Sequence, residues 1–322
     1  MYIQDILTYY YDSRPFGMRL LNKISGRLTK LPNRYLNGLV KRYIQRNPGR
    51  KYYEQNISHR RICNAVVSLT TFPGRIDYVW LVIESLLRQT LSPSRIALYI
   101  SKEQFPSMDV IPESIKRYTD FVLDIRMVDG DIRSHKKYWY AVSDYPNRDI
   151  ITVDDDIVYV SDTIEMLYSA HQMYPRAIPC MYAHRIYWDD EGNCKPYSKW
   201  EGRIKANVVS NSTFFGSGGG TYFPHVSLHG ANQDPALIMK NCPTADDIWL
   251  NAITRINGFS PISLKYTRSV PCWSIKDNAC LADINTGLKM NDSQLINVQA
   301  LCMQIFGVNP YSKSSLKIHH SV

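Results

Sequence analysis

Three consecutive carboxylates, Asp154-Asp155-Asp156, follow the apolar run Ile150-Ile-Thr-Val153 and precede Ile157-Val-Tyr-Val160. Like charges at that density repel one another unless something positive neutralises them. An oxygen-only donor set suits Mg²⁺ or Mn²⁺ bridging a diphosphate. An acidic turn is the plain alternative, and the apolar runs on both sides favour the metal. Upstream, Ser134-His-Lys-Lys137 opens a helical stretch, where a lysine could meet phosphate oxygens as a point charge. Thr70, Thr71 and Arg75 stand in or beside the turn Thr70-Thr-Phe-Pro-Gly74, where a nucleotide could lie.

Downstream, Phe214-Phe-Gly-Ser-Gly-Gly-Gly-Thr-Tyr-Phe223 sets glycines among aromatics. It has neither the P-loop nor the G-x-G-x-x-G spacing, so it is not assigned phosphates. Glycines let a backbone approach a ligand closely, and the aromatic rings offer flat faces to a sugar. Pro243-Thr-Ala-Asp-Asp-Ile-Trp-Leu250 reads as a helix start, with Thr244 as N-cap and Asp247 at the third helical position. Capping alone would explain both carboxylates. The functional alternative is a general base facing a cleft.

The elements that must position these residues alternate. Asn64–Leu69, Ile96–Ile100, Phe121–Ile125 and Asp149–Val153 read as short buried strands, and residues 78–88 and 136–144 as helices. Alternation at this spacing predicts a mostly parallel sheet, which binds ligands at the carboxyl ends of its strands. The loops after the first and fourth strands therefore carry the chemistry.

Lys and Arg number 38 against 29 Asp and Glu, a net +9. Residues 1–61 hold 13 basic and 3 acidic residues, whereas 62–322 hold 25 and 26. The excess therefore belongs to one segment, and a nucleic-acid partner is not expected, since such a domain spreads basic residues over its binding face. Within that segment Leu20, Ile24, Leu28 and Leu31 recur at helical spacing beside Arg19, Lys23, Arg27 and Lys30. That pattern fits a helix on an anionic membrane surface, or equally a helical pair packed on the main body. No apolar stretch approaches the ~20 residues of a membrane-spanning helix, and no signal-peptide pattern opens the chain. Seven cysteines without a C-x-x-C pair suggest a reduced, cytoplasmic chain with no zinc site. Trp188, Trp200, Trp273 and many of the 23 tyrosines are candidates for an acceptor platform, with core packing the commoner fate. His319-His320 reads as a polar terminus.

In order and spacing, V-S-L-T-T-F-P-G-R-I (67–76), K-K (136–137), I-I-T-V-D-D-D-I (150–157), G-S-G-G-G-T-Y (216–222), T-A-D-D-I-W-L (244–250) and N-D-S-Q (291–294) resemble the bacterial GT-A glycosyltransferases, family-2-like. The resemblance implies an α/β fold of GT-A type: a doubly wound, mostly parallel, Rossmann-like sheet with an N-terminal helical extension. It divides the chain into a basic helical segment (1–61), a GT-A domain (62–310) and a tail (311–322). It implies a nucleotide-diphosphate sugar donor, UDP-sugar first, and a divalent Mn²⁺ or Mg²⁺. Asp156 would be the principal metal ligand, with Asp154 on ribose or a metal-bound water. Thr70, Thr71, Arg75, Lys137, Asp154 and Asp155 would line the donor, and Gly218, Gly219 and Gly220 would border donor sugar and acceptor. Asp247 falls where such enzymes keep their base, but Asp246-Asp247 replaces the family's Glu-Asp, so either could act. Asn291, Asp292 and Gln294 match a motif whose role the residues alone do not reveal.

The implied reaction is an inverting sugar transfer to a hydroxyl of a glycan or lipid-linked glycan, in bacterial lipopolysaccharide or capsule synthesis at the inner face of the cytoplasmic membrane. Two other readings stand beside it. One is a sugar-phosphate nucleotidyltransferase, which also binds phosphates on such a sheet. The other is a non-catalytic membrane- or nucleic-acid-binding protein that uses the basic arm.

Overall fold

The computed structural model describes residues 46, 48–204, 207–264, 272–274 and 290–314. The amphipathic pattern of residues 19–43 and the pair His319-His320 lie outside the described residues, as does the side chain of Trp273.

Eleven strands are described: β1 (Ile62–Thr70), β2 (Ser92–Ser101), β3 (Leu123–Val128), β4 (Ile150–Val153), β5 (Ile157–Tyr159), β6 (Ala177–Cys180), β7 (Ala183–Arg185), β8 (Thr213–Phe215), β9 (Gly219–Phe223), β10 (Ser260–Ser263) and β11 (Cys272–Ser274). The α-helices described are α1 (Arg50–Ser58), α2 (Val79–Leu87), α3 (Glu113–Lys116), α4 (Lys136–Asp144), α5 (Thr163–Met173), α6 (Pro235–Asn241), α7 (Asp246–Ile256) and α8 (Met290–Phe306). Seven strands form one sheet in the order β10-β6-β9-β4-β1-β2-β3. β1 runs parallel to β2 and β4, and β2 to β3, because a helix carries the chain back over the sheet between them. β9 runs antiparallel to both β4 and β6. The sheet is thus the mostly parallel α/β sheet of GT-A type expected from the sequence.

Period-two alternation sends successive side chains of these runs into two separate cores. Ala65, Val67 and Leu69 of β1 join Leu98 and Ile100 of β2 in one cluster, with side chains of α2 and α5. Val66, Ala97 and Tyr99 point the other way, into a second cluster with side chains of α4, α7 and α8. A strand covered on both faces is largely apolar, and the buried Ser68 and Thr152 hydroxyls of β1 and β4 donate to the Lys137 and Ser217 carbonyls.

Contacts run across both expected boundaries. Tyr53 of α1 belongs to the core, and the Gly49 N–H donates to buried Glu84 at 2.7 Å. Tyr311, expected in the tail, is fully buried, and its hydroxyl donates to the Ile248 carbonyl of α7. Cys63, Cys180, Cys194, Cys242 and Cys302 are free thiols. Among the described residues no helix is long and apolar enough to cross a membrane.

Candidate active site

β1 and β4 are parallel neighbours, so Thr70-Thr71 and Asp154-Asp156 leave the sheet at the same edge. The antiparallel β9 starts there too, with Gly219 opposite Val153. Three loops are therefore brought together by strand direction alone.

The acidic triplet divides its work. Asp155 is buried with both oxygens engaged: Thr71 Oγ1 donates to Oδ2 at 2.6 Å and Arg75 Nη1 to Oδ1 at 2.8 Å. Burial raises its pKa, and the Arg75 and Thr71 contacts only partly offset that. Arg75 also reaches Asp156 Oδ2 at 3.2 Å. Asp155, Thr71 and Arg75 thus shape the loop from within. Thr70 Oγ1 donates to the Tyr99 carbonyl of β2 at 2.8 Å. Asp154 is the most open of the three, its side chain 41% exposed.

Lys137 ties the two halves of the site together. It stands in the first turn of α4 with its side chain only 4% exposed, and both lysines of the K-K pair are buried rather than solvated. Its Nζ lies 3.1 Å from Asp154 Oδ1 and 3.1 Å from Asp246 Oδ2. Burial alone would lower its pKa, but Asp154, Asp246 and Asp247 outweigh that and hold it well above the usual lysine range.

Asp246 and Asp247 open α7 in different environments. Burial would raise the pKa of Asp246, yet Lys137, His135 and the 2.5 Å hydrogen bond donated by Ser217 prevail and lower it. Asp247 is pushed up to about 7, by burial first and then by the adjacent Asp246 charge. Beneath them His135 is fully buried, 2.8 Å from the Tyr138 hydroxyl and 2.7 Å from the Cys242 carbonyl. Burial lowers its pKa, and the Asp246 charge and the Cys242 contact only partly offset that.

The cap of α7 differs from expectation. Ala245, not Thr244, is the N-cap, without a side-chain hydrogen bond, so Asp246 and Asp247 take the first and second helical positions. Thr244 is diverted to Gln294 of α8: its N–H donates to Oε1 and its Oγ1 accepts from Nε2, both at 2.9 Å. This gives the N-D-S-Q motif a role. Gln294 fixes the entry to α7, and Asp292 accepts from Ser198 N at 3.2 Å and Oγ at 3.0 Å, steadying the turn that carries Tyr197. Asn291 is buried beside them.

The glycine segment is no loose loop. Gly218 O accepts from Asp154 N at 2.9 Å and also from the Tyr159 hydroxyl. The aromatics around it, Phe214, Phe215, Tyr222 and Phe223, are core and offer no face to a sugar, contrary to the expectation. Trp200 is likewise buried. A Cβ on Gly218 would overlap the Asp154 carboxylate. Gly218→Ala is therefore expected to cost ~1–3 kcal/mol by overpacking in urea unfolding, and Asp154→Ala in the same chain should restore most of it.

Among the described residues no group of three or more His, Cys, Asp or Glu side chains converges as a metal site. The partly exposed carboxylates of Asp154 and Asp156 still fit a hard divalent ion. Mg²⁺-like ions are commonly held by one or two carboxylates, with phosphate oxygens and waters completing the shell. Sequence reasoning missed Ser217, Tyr159 and His135. Each supports the site from a distant or opposite-facing position, and no spacing rule signals that.

A mostly parallel sheet with an acidic turn at the end of its fourth strand defines an α/β fold of GT-A type. Among solved structures the chain is similar to the mannosyltransferase PcManGT from Pyrobaculum calidifontis, in complex with GDP-Man and Mn²⁺, with a TM-score of 0.53 and 12% identity over 79% of this chain and 68% of that one. It is also similar to S. aureus TarS, with a TM-score of 0.45 and 13% identity over 71% of this chain and 39% of that one. No family model matches the chain, and no curated protein matches it.

Proposed function

We propose that this chain is a metal-dependent, inverting glycosyltransferase that moves a sugar from a nucleotide-diphosphate donor, UDP-sugar first, to a hydroxyl of a glycan or lipid-linked glycan. One observation carries the reading: Lys137 lies 3.1 Å from both Asp154 at the strand end and Asp246 at the helix start. A phosphate-facing edge and a candidate base thereby share one cleft. The fold shared with PcManGT, a mannosyltransferase seen with GDP-Man and Mn²⁺, supports it.

In this mechanism Asp247, rather than Asp246, takes the proton from the acceptor hydroxyl. Neighbouring carboxyl groups pushed apart in pKa mark their own roles. Asp246 stays ionised to hold Lys137, while Asp247 is tuned near neutrality, where a base combines availability with driving force. Lys137 presents fixed positive charge toward the departing diphosphate. Asp156 and Asp154 would hold Mn²⁺ or Mg²⁺, which when bound supplies further positive charge against that leaving group. Thr71, Arg75 and Asp155 hold the loop that places those two carboxylates and border the nucleotide together with Thr70. Gly218, Gly219 and Gly220 leave room for the donor sugar. Attack by a deprotonated hydroxyl in a single displacement inverts the anomeric centre.

The motif resemblance to bacterial enzymes directs the reading to lipopolysaccharide or capsule assembly, and the basic residues 1–61 to an anionic surface at the inner face of the membrane. The test is a thermal-shift screen of UDP-, GDP-, dTDP- and CMP-sugars with Mn²⁺. One donor at 100 times its Kd should stabilise the protein by about 2.7 kcal/mol, and Asp156→Ala should lose that gain. If no nucleotide sugar shifted the wild type, or if Asp156→Ala shifted equally, the reading would fail.

A further inference from the structure

The transferase reading leaves the chemistry of the acceptor open, and the far side of the glycine segment narrows it. Tyr182, in the turn between β6 and β7, keeps 36% of its surface exposed, although its ring is held from several sides. A Cβ on Gly216 would come within 2.6 Å of Tyr182 Cδ1, and one on Gly219 within 2.6 Å of Tyr182 Cβ. The side chain therefore rests on bare backbone that only glycine provides. The Gly216 N–H donates to the Tyr182 carbonyl at 2.9 Å, fixing the turn to the segment. Behind the ring His184 packs edge-on, with centroids 5.1 Å apart and planes at 88°, and the Tyr197 hydroxyl lies 3.2 Å from His184 Nε2.

Ser217, between the two glycines that cushion Tyr182, donates its hydroxyl to Asp246, the residue preceding Asp247. Gly218 faces Asp154. Four consecutive residues thus touch the phosphate-side carboxylate, the base helix and the exposed ring. Tyr197 reports the same proximity. Its pKa is raised by burial first and then by the negative charge of Asp247.

Resting on the transferase reading, we propose that Tyr182 is the platform for the acceptor sugar, and that the acceptor end is a pyranose ring laying its C–H face on the tyrosine. An aromatic ring held rigid by its neighbours offers contact area at little entropic cost. A bare lipid phosphate would gain nothing from that uncharged face. A stacked pyranose presents its hydroxyls at its rim, and the rim nearest Ser217 lies toward α7.

The experiment is saturation-transfer NMR on the full chain with methyl glycosides of gluco, galacto, manno and N-acetylgluco configuration, run with and without UDP and Mn²⁺. The wild type is expected to saturate the ring C–H protons of at least one glycoside. Tyr182→Phe should keep that signal, and Tyr182→Ala should weaken binding about tenfold with nucleotide binding unchanged. In turnover the same loss should appear in the acceptor KM and not in the donor KM. Undiminished glycoside binding by Tyr182→Ala overturns the proposal, as does a nucleotide-competent wild type that binds no glycoside. Failure of the wild type to bind any nucleotide would instead sink the transferase reading, while the glycoside signal still decides on Tyr182.

Discussion

An Asp247→Asn protein is expected to bind donor and Mn²⁺ normally and to transfer sugar 10²–10⁴-fold more slowly, about the span that a positioned base contributes. Asn keeps the shape and removes the proton acceptor, so the loss should fall on kcat rather than on donor affinity. The wild-type pH profile should agree. As the proposed base Asp247 would act when ionised, so kcat should rise with pH through about 7 and level off above it. The substituted protein should show no such limb.

Stability should move in the opposite direction. The folded state holds the Asp247 proton more tightly than an ordinary carboxyl group does. Below the ordinary carboxylate range both states are protonated and Asp247 imposes no penalty. As pH rises toward about 7 the native carboxylate is forced to ionise, and stability falls by linkage. At pH 8 Asp247→Asn should therefore melt above wild type, by ~2–4 °C for each 1 kcal/mol, and at pH 4 the two should coincide. A variant that kept full transfer activity would remove Asp247 from the base role.

Lys137→Met should produce the largest loss of stability at the site. The substitution leaves Asp246, its side chain 6% exposed, without its main counter-charge, and stranding a buried charge costs roughly 3–5 kcal/mol. Asp154 is more open and can return to water, so the lower end of that range applies. With Lys137 gone the pKa of Asp246 must rise, so the deficit should be greater at pH 8 than at pH 5. Adding Asp246→Asn should recover much of it, because Asn can keep the Ser217 hydrogen bond without a charge. Urea unfolding of the four proteins at both pH values checks this. Equal destabilisation at both pH values with no recovery in the double variant would mean that Lys137 is held by packing and not by charge.

Sequence and structure agree where the governing rule is local. Asn64–Leu69 and Asp149–Val153 are legible as buried strands because a strand covered on both faces is largely apolar, and they overlap β1 and β4; residues 136–144 are legible as the helix α4. Strand direction then puts the acidic turn at the carboxyl edge of the parallel strands. Three features needed the third dimension. Thr244 has the residue type of an N-cap, but Gln294, fifty positions away, takes its hydroxyl. Phe214 and Phe223 look like sugar faces beside glycines, yet in the core Phe214 packs on Trp200 and Phe223 on Phe215. Lys136 and Lys137 are legible as charges opening a helix, but only the carboxylates reaching them from Asp131, Asp154 and Asp246 explain their burial.

Glycine content usually suggests a segment that yields, and residues 216–220 would pass for a hinge. Here most of it is tied to neighbouring segments by hydrogen bonds. Gly218 and Gly220 carbonyls accept from Asp154 and Met181, Ser217 O accepts from Thr152, and Gly216 N–H donates to Tyr182. The absent side chains supply room and not motion. Mechanically the segment is a fixed wall, and displacing it would break ladder bonds to β4 and β6 together. For the proposed transferase, any widening of the site to admit donor or acceptor would fall to the segments facing this wall.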